Sequence, residues 1–148
     1  MSSREDGAAV ELPRSDAKAN IRIMVADDHP SMRMGIIALV DSQPYMEVIA
    51  EASDGEEAIE VYDDVLPDVV LMDLRMHGMG GAEAILTICK KHPSAKVIVL
   101  STYDWDEDIH RAIQSGAKSY LLKDMSVEVI AGMIRDVYDG YETLPKQV

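Results

Sequence analysis

Asp27, Asp28, Asp73, Ser101, Thr102 and Lys123 each stand at the end of a short apolar run or just past it. Carboxylates gathered at one place repel: two unit charges ~4 Å apart cost about 4 kcal/mol at an effective dielectric near 20. Such a cluster needs a cation or raised pKa values. Mg²⁺ is the better match, because it takes one or two carboxylates, keeps several waters and completes its octahedron with phosphate oxygens. Lys123 would add a fixed positive charge, and the hydroxyl of Ser101 a hydrogen-bond donor to an anion held between them. These are the parts of a phosphoryl site, with Asp73 as the carboxylate nucleophile and with positioning and charge neutralisation supplying most of the rate.

For those groups to meet, the chain must bring four strand ends together. Val69-Val70-Leu71-Met72-Asp73-Leu74-Arg75 is apolar at successive positions, the pattern of a strand covered on both faces, and it carries Asp73 to its end. Ile21 to Ala26 is a shorter strand ending in Asp27-Asp28-His29-Pro30, and Pro30 suits the first turn of a helix running to about Asp41. Met46 to Ala52 reads as a strand, and Asp54-Gly55 opens a helix through about Asp64. His77-Gly78-Met79-Gly80-Gly81 is a loop, followed by a helix from Ala82 to about Lys91 that His92-Pro93 stops. Lys96 to Leu100 is the next strand, Asp104 to Gln114 an acidic-fronted helix, Ser119 to Leu122 a strand, and Ser126 to about Tyr138 a helix that Ser126 caps. Strand and helix thus alternate five times, which specifies a doubly wound parallel α/β sheet of the flavodoxin-like (βα)5 kind, with strand order 2-1-3-4-5. In such sheets ligands sit beyond the carboxyl ends of the strands. The candidate residues all fall at that end.

The chain has 148 residues, 47% of them hydrophobic and 28% charged, as expected for one globular domain. Its formal net charge of −13 argues against direct contact with nucleic acid, which is bound chiefly through Lys and Arg. The single Cys89 excludes an internal disulfide. No apolar segment has the length of a membrane span or the form of a signal peptide, so the chain reads as cytoplasmic. Residues 1–20 lack periodicity and read as a disordered tail, and residues 21–140 as the folded unit.

Over roughly residues 21–140 the sequence resembles the receiver domain of two-component response regulators. The resemblance is carried by Asp27-Asp28, Asp73, Ser101 and Ser119-Tyr120-Leu121-Leu122-Lys123 at these intervals. It implies that Asp73 accepts a phosphoryl group from a sensor histidine kinase. Asp27 and Asp28 would then hold Mg²⁺ together with Asp73 and the backbone carbonyl of Arg75, and Lys123 would pair with the phosphoryl group. The resemblance also implies that the hydroxyl facing the phosphate is that of Ser101 rather than Thr102, and that Tyr120 turns inward when Ser101 moves. Ile23-Met24-Val25-Ala26-Asp27-Asp28-His29-Pro30, Leu100-Ser101-Thr102-Tyr103-Asp104 and Leu121-Leu122-Lys123-Asp124 are most similar to the LuxR/NarL-type transcriptional regulators. In that branch phosphorylation controls homodimers, here through residues near Met34, Val127 and Ile130, and residues 141–148 resemble the start of a linker to a DNA-binding domain that does not follow. Where many receivers carry Pro and an acid, this chain has His77 and Gly80, which implies a looser loop after Asp73.

Plainer readings exist for several of these residues. Asp27 and Asp28 could serve as a helix cap, Lys123 could be a solvated lysine, and Tyr120 could be ordinary core. His29, His77, His92 and His110 share no metal-ligand spacing and read as surface or capping residues, and Cys89 as an inert buried thiol. Arg75 and Tyr103 are positioned to shield an acyl phosphate from water. Two rival functions are a stand-alone receiver acting through protein contacts and a small Mg²⁺-dependent phosphohydrolase. Against the latter, Asp73-Leu74-Arg75 lacks an acid two residues past the nucleophile. The leading expectation is a regulatory phosphoacceptor, not an enzyme.

Overall fold

The computed structural model describes residues 20–102 and 107–141. Ten elements alternate: β1 (Ile21–Ala26), α1 (Pro30–Asp41), β2 (Met46–Ala52), α2 (Gly55–Val65), β3 (Val69–Asp73), α3 (Gly81–Lys91), β4 (Val97–Ser101), α4 (Glu107–Ser115), β5 (Ser119–Leu122) and α5 (Val127–Tyr138). The strands form one parallel sheet in the expected order, β2-β1-β3-β4-β5. Element bounds match the sequence expectations to within two residues. The exception is α4, described from Glu107 onward; its expected start at Asp104 lies outside the described residues, as do Tyr103, the tail through residue 19 and the linker from residue 142.

Local chemistry sets these boundaries. Pro30 occupies the first turn of α1, where its missing N–H is not needed. Asp54 caps α2 by accepting from Glu57 N at 2.8 Å, and the Glu57 carboxylate returns to Ser53 N at 2.7 Å. Ser126 accepts from Val129 N at 3.3 Å to cap α5. No helix among the described residues is long and apolar enough to cross a membrane.

The sheet separates two apolar layers, because successive strand residues point to opposite faces. Ile23, Val25, Val69, Leu71, Ile98, Leu100 and Leu121 pack with Ile36 and Val40 of α1 and Ile130, Ile134 and Val137 of α5. Met24, Val70, Met72, Val97, Val99 and Tyr120 pack with Ala58 and Tyr62 of α2, Ile85 and Ile88 of α3 and Ile109 of α4. All five residues of β3 are buried, as are all five of β4. Burying both faces of the central strand is what fixes the position of its last residue, Asp73. Of the residues expected near a dimer face, Ile130 is 3% exposed and packs into the core, whereas Met34 and, beside Ile130, Val129 are 67% and 47% exposed.

Candidate functional site

The strand ends assemble a single acidic cleft. Asp73 closes β3, Asp27 directly follows β1, and Asp27 N continues the β1–β2 ladder by donating to Ala52 O at 3.0 Å. Lys123 follows β5 and is tied to the end of β4 by its N–H bond to Ser101 O, 2.8 Å. A cleft of roughly 650 Å³ is lined by Asp28, His29, Asp73, Arg75, His77, Ser101, Thr102 and Lys123, among others. Ser101 is buried and Thr102 exposed. By strand alternation Ser101 lies on the face of Val97 and Val99, the face that also holds buried Tyr120, whose register partner is Val99.

Charge is concentrated inside. Lys123 Nζ lies 3.0 Å from Asp27 Oδ2 and 3.4 Å from Asp73 Oδ1. Asp73 Oδ1 also faces Arg75 N at 3.3 Å. Burial pushes the Asp73 carboxyl above its usual range; the Lys123 charge opposes this, and neighbouring Asp27 adds to it. Burial also pushes Asp28 upward, but there the backbone and ring bonds from His77 and the charges of His29 and His77 prevail and hold it below the ordinary value.

Two oxygens in this cleft, Asp28 Oδ1 and Asp73 Oδ2, are buried and accept no hydrogen bond from the described residues. Ligand atoms of Asp27, Asp28, His29 and Asp73 all lie within 4.8 Å of one another. Buried oxygens without donors, set among hard carboxylate ligands, are the arrangement a divalent cation satisfies, so these residues fit a metal.

His29 and His77 are capping and surface residues as expected, with side chains 64% and 95% exposed, but both also reach the cleft: His29 Nδ1 is 3.1 Å from Asp27 Oδ1, and His77 donates its backbone N–H to Asp28 Oδ2 at 2.9 Å while its ring Nδ1 lies 2.6 Å from the same oxygen. His29 sits directly after the acid pair, the signal that could have marked it. Arg33 donates from Nη1 to the carbonyl of Asp27 and pairs through Nε with Glu51 Oε1 at 2.8 Å. Its place four residues past His29, on the same side of α1, was legible in principle. The loop after Asp73 is tied down at His77 and again where Gly81 N donates to Leu74 O at 3.0 Å. Arg75 turns its guanidinium to Asp108 on α4, Nη2 to Oδ2 3.0 Å, rather than standing unengaged over Asp73. Cys89 is half-buried, and burial raises its thiol pKa, as expected of an unreactive group.

A five-stranded parallel sheet in this order, with acids and a lysine at the carboxyl ends, defines a class of signalling domain, and comparison agrees. The chain belongs to the response regulator receiver domain family, whose model matches residues 23–135. It is 43% identical over 128 residues to the transcriptional regulatory protein LiaR of Bacillus subtilis, covering 86% of this chain and 61% of LiaR. The response regulator VraR of Staphylococcus aureus is 36% identical over 128 residues, again 86% of this chain and 61% of VraR. The chain therefore spans about three fifths of the length of these relatives. Among solved structures, the signal receiver domain of NarL from Mycobacterium tuberculosis superposes with a TM-score of 0.78 at 34% identity, covering 82% of this chain and 98% of that one. A LuxR-family response regulator from Aurantimonas sp. SI85-9A1 gives 0.80 at 31% identity, covering 86% and 90%. The likeness to LuxR/NarL-type regulators read from the sequence is borne out.

Proposed function

We propose that this chain is the phosphorylation-operated receiver of a transcriptional regulator, with Asp73 as the phosphoacceptor. The observation that carries the reading is Asp73 Oδ2: a buried carboxylate oxygen with no hydrogen-bond donor among the described residues, opening on a cleft lined by Lys123, Ser101 and Thr102. In the proposed reaction a carboxylate oxygen of Asp73 attacks the phosphorus of a phosphohistidine on a sensor histidine kinase. The P–N bond breaks, the imidazole leaves with the electron pair and takes up a proton, and an acyl phosphate forms. Asp27, Asp28, Asp73 and the carbonyl of Arg75 would hold Mg²⁺, which when bound supplies charge neutralisation to the phosphoryl oxygens. Lys123 holds one phosphoryl oxygen and Ser101 donates to another; Thr102, exposed at the cleft rim, is the alternative hydroxyl. Movement of Ser101 along its sheet face frees space into which Tyr120 shifts, and the packing around α4 and β5 follows.

The output is a change of association. A groove of roughly 270 Å³ between α1 and α5, lined by Met32, Gly35, Leu39 and Ile130 and flanked by exposed Met34 and Val129, supports this face as the homodimer contact. LiaR is named a transcriptional regulatory protein, which supports control of transcription through a DNA-binding segment corresponding to the part of the relatives beyond the match. The acidic chain itself is assigned no contact with nucleic acid or membrane, a cytoplasmic location and no turnover of free substrates. Intact mass after incubation with acetyl phosphate and Mg²⁺ tests the reading: the chain gains one phosphoryl group and Asp73→Asn gains none. Phosphorylation of Asp73→Asn to the same extent would refute it.

A further inference from the structure

His29 distinguishes this cleft from one built of carboxylates alone. As the N-cap residue of α1, with Pro30 fixing the turn behind it, it directs its ring back over the acids. Nδ1 stands 3.1 Å from Asp27 Oδ1, 3.0 Å from Asp28 Oδ1 and 3.9 Å from Asp73 Oδ2. The last two are the oxygens that accept no hydrogen bond from the described residues, and their carboxylates are nine-tenths or more buried, with side chains 8% and 5% exposed. Their sister oxygens are engaged, Asp28 Oδ2 by His77 and Asp73 Oδ1 by Arg75 N. Asp27 Oδ1 accepts the backbone N–H of His29 at 2.9 Å as well as facing the ring at 3.1 Å, so it keeps a donor when the ring turns to a metal.

We infer that the cleft binds a first-row transition dication through Asp28 Oδ1, Asp73 Oδ2 and His29 Nδ1, and so discriminates in favour of Co²⁺, Ni²⁺ or Zn²⁺ over Mg²⁺ more strongly than its carboxylates alone would. This deepens the acid-pocket reading above and rests on it. Imidazole is a ligand suited to the later transition ions, whereas Mg²⁺ selects oxygen. Neighbouring ligands of an octahedral ion with bonds of about 2.1 Å lie about 3.0 Å apart, the separation of His29 Nδ1 from Asp28 Oδ1. The wider gap to Asp73 closes by movement of the imidazole, whose side chain is 64% exposed. His77 acts behind the site: by holding Asp28 Oδ2 from its backbone N–H and ring, it turns Oδ1 inward, as partners of metal-bound carboxylates do. A proline at position 77 would have no N–H to offer.

The test uses the full chain without a polyhistidine tag, titrated with Mg²⁺ and with Co²⁺ by calorimetry, alongside pulsed EPR of the Mn²⁺-loaded protein. The expected result is that His29→Ala weakens Co²⁺ binding by about tenfold or more and leaves Mg²⁺ affinity within about threefold. The wild-type Mn²⁺ spectrum shows coupling to a bound nitrogen, which His29→Ala removes and His77→Ala retains. If His29→Ala changes both affinities equally or neither, or if no nitrogen coupling is seen, the inference falls while the acid pocket stands. If wild type binds neither ion, the acid-pocket reading falls with it.

Discussion

Lys123 Nζ lies 3.0 Å from Asp27 Oδ2, joining residues 96 positions apart at the ends of the first and last strands. The same ammonium is 3.4 Å from Asp73 Oδ1, and all three side chains are nearly buried. At formal charge, three carboxylates, counting Asp28, against one ammonium leave two negative charges, which one divalent ion would balance. Replacing Lys123 with Met removes the only compensation the protein itself supplies among the described contacts of Asp27 Oδ2. Stability in chelator should fall by about 3 kcal/mol or more, as when one partner of a buried pair is lost, and Mg²⁺ should restore part of it. Urea denaturation with and without Mg²⁺ measures both; an equal loss in the two conditions would contradict the charge argument.

Arg33 holds the backbone on which the acid pair hangs, through the carbonyl of Asp27, and is itself braced by Glu51. Groups behind metal ligands commonly change affinity ten- to a hundredfold. Arg33→Ala is expected to raise the Kd for Mg²⁺ about tenfold with an unchanged far-ultraviolet circular dichroism spectrum, and Glu51→Gln to raise it less. Calorimetric titration decides.

Gly81 opens α3 directly against the end of β3. A Cβ there would run into the carbonyl oxygen of Asp73 and come within 2.8 Å of Leu74 Cα. Gly81→Ala should therefore cost about 1–3 kcal/mol, the range for overpacking, and slow phosphorylation by acetyl phosphate, because the backbone that must yield carries Asp73. Gly132 in α5 is the control: a Cβ there meets nothing within 4 Å, so Gly132→Ala should stabilise by up to about 1 kcal/mol. Thermal melts of the two variants should move in opposite directions.

Asp63, at the surface where α2 meets α3, bonds Lys91 Nζ and lies 2.8 Å from His92 Nε2. The bonds from Lys91 and His92 hold its carboxyl below the usual range. A depressed folded pKa means that the unfolded chain binds more protons as pH falls, so this contribution is present above about pH 3.9 and lost as pH falls through the lower folded value. Asp63→Asn should be less stable than wild type at pH 7 by a small, salt-sensitive margin that shrinks as pH falls below the ordinary carboxylate value and through the lower folded one. A margin unchanged across that range in urea denaturation would assign the loss to packing instead.

Element order, sheet order and the strand-end positions of Asp27, Asp73, Ser101 and Lys123 were all legible in the linear sequence. These follow from local properties: apolar runs that need cover on both faces, Pro30, Asp54 and Ser126 at helix starts, and connections too short for any other crossover. The role of His77 was not legible, nor was the inward turn of Ile130, and position along the chain only hinted at the roles of His29 and Arg33. Each depends on where a side chain points once distant segments have packed. His77 meets Asp28 across 49 residues and Lys123 meets Asp27 across 96. Spacing along the chain carries no record of such distances; only the closing of the sheet, with β1 set between β2 and β3, creates them.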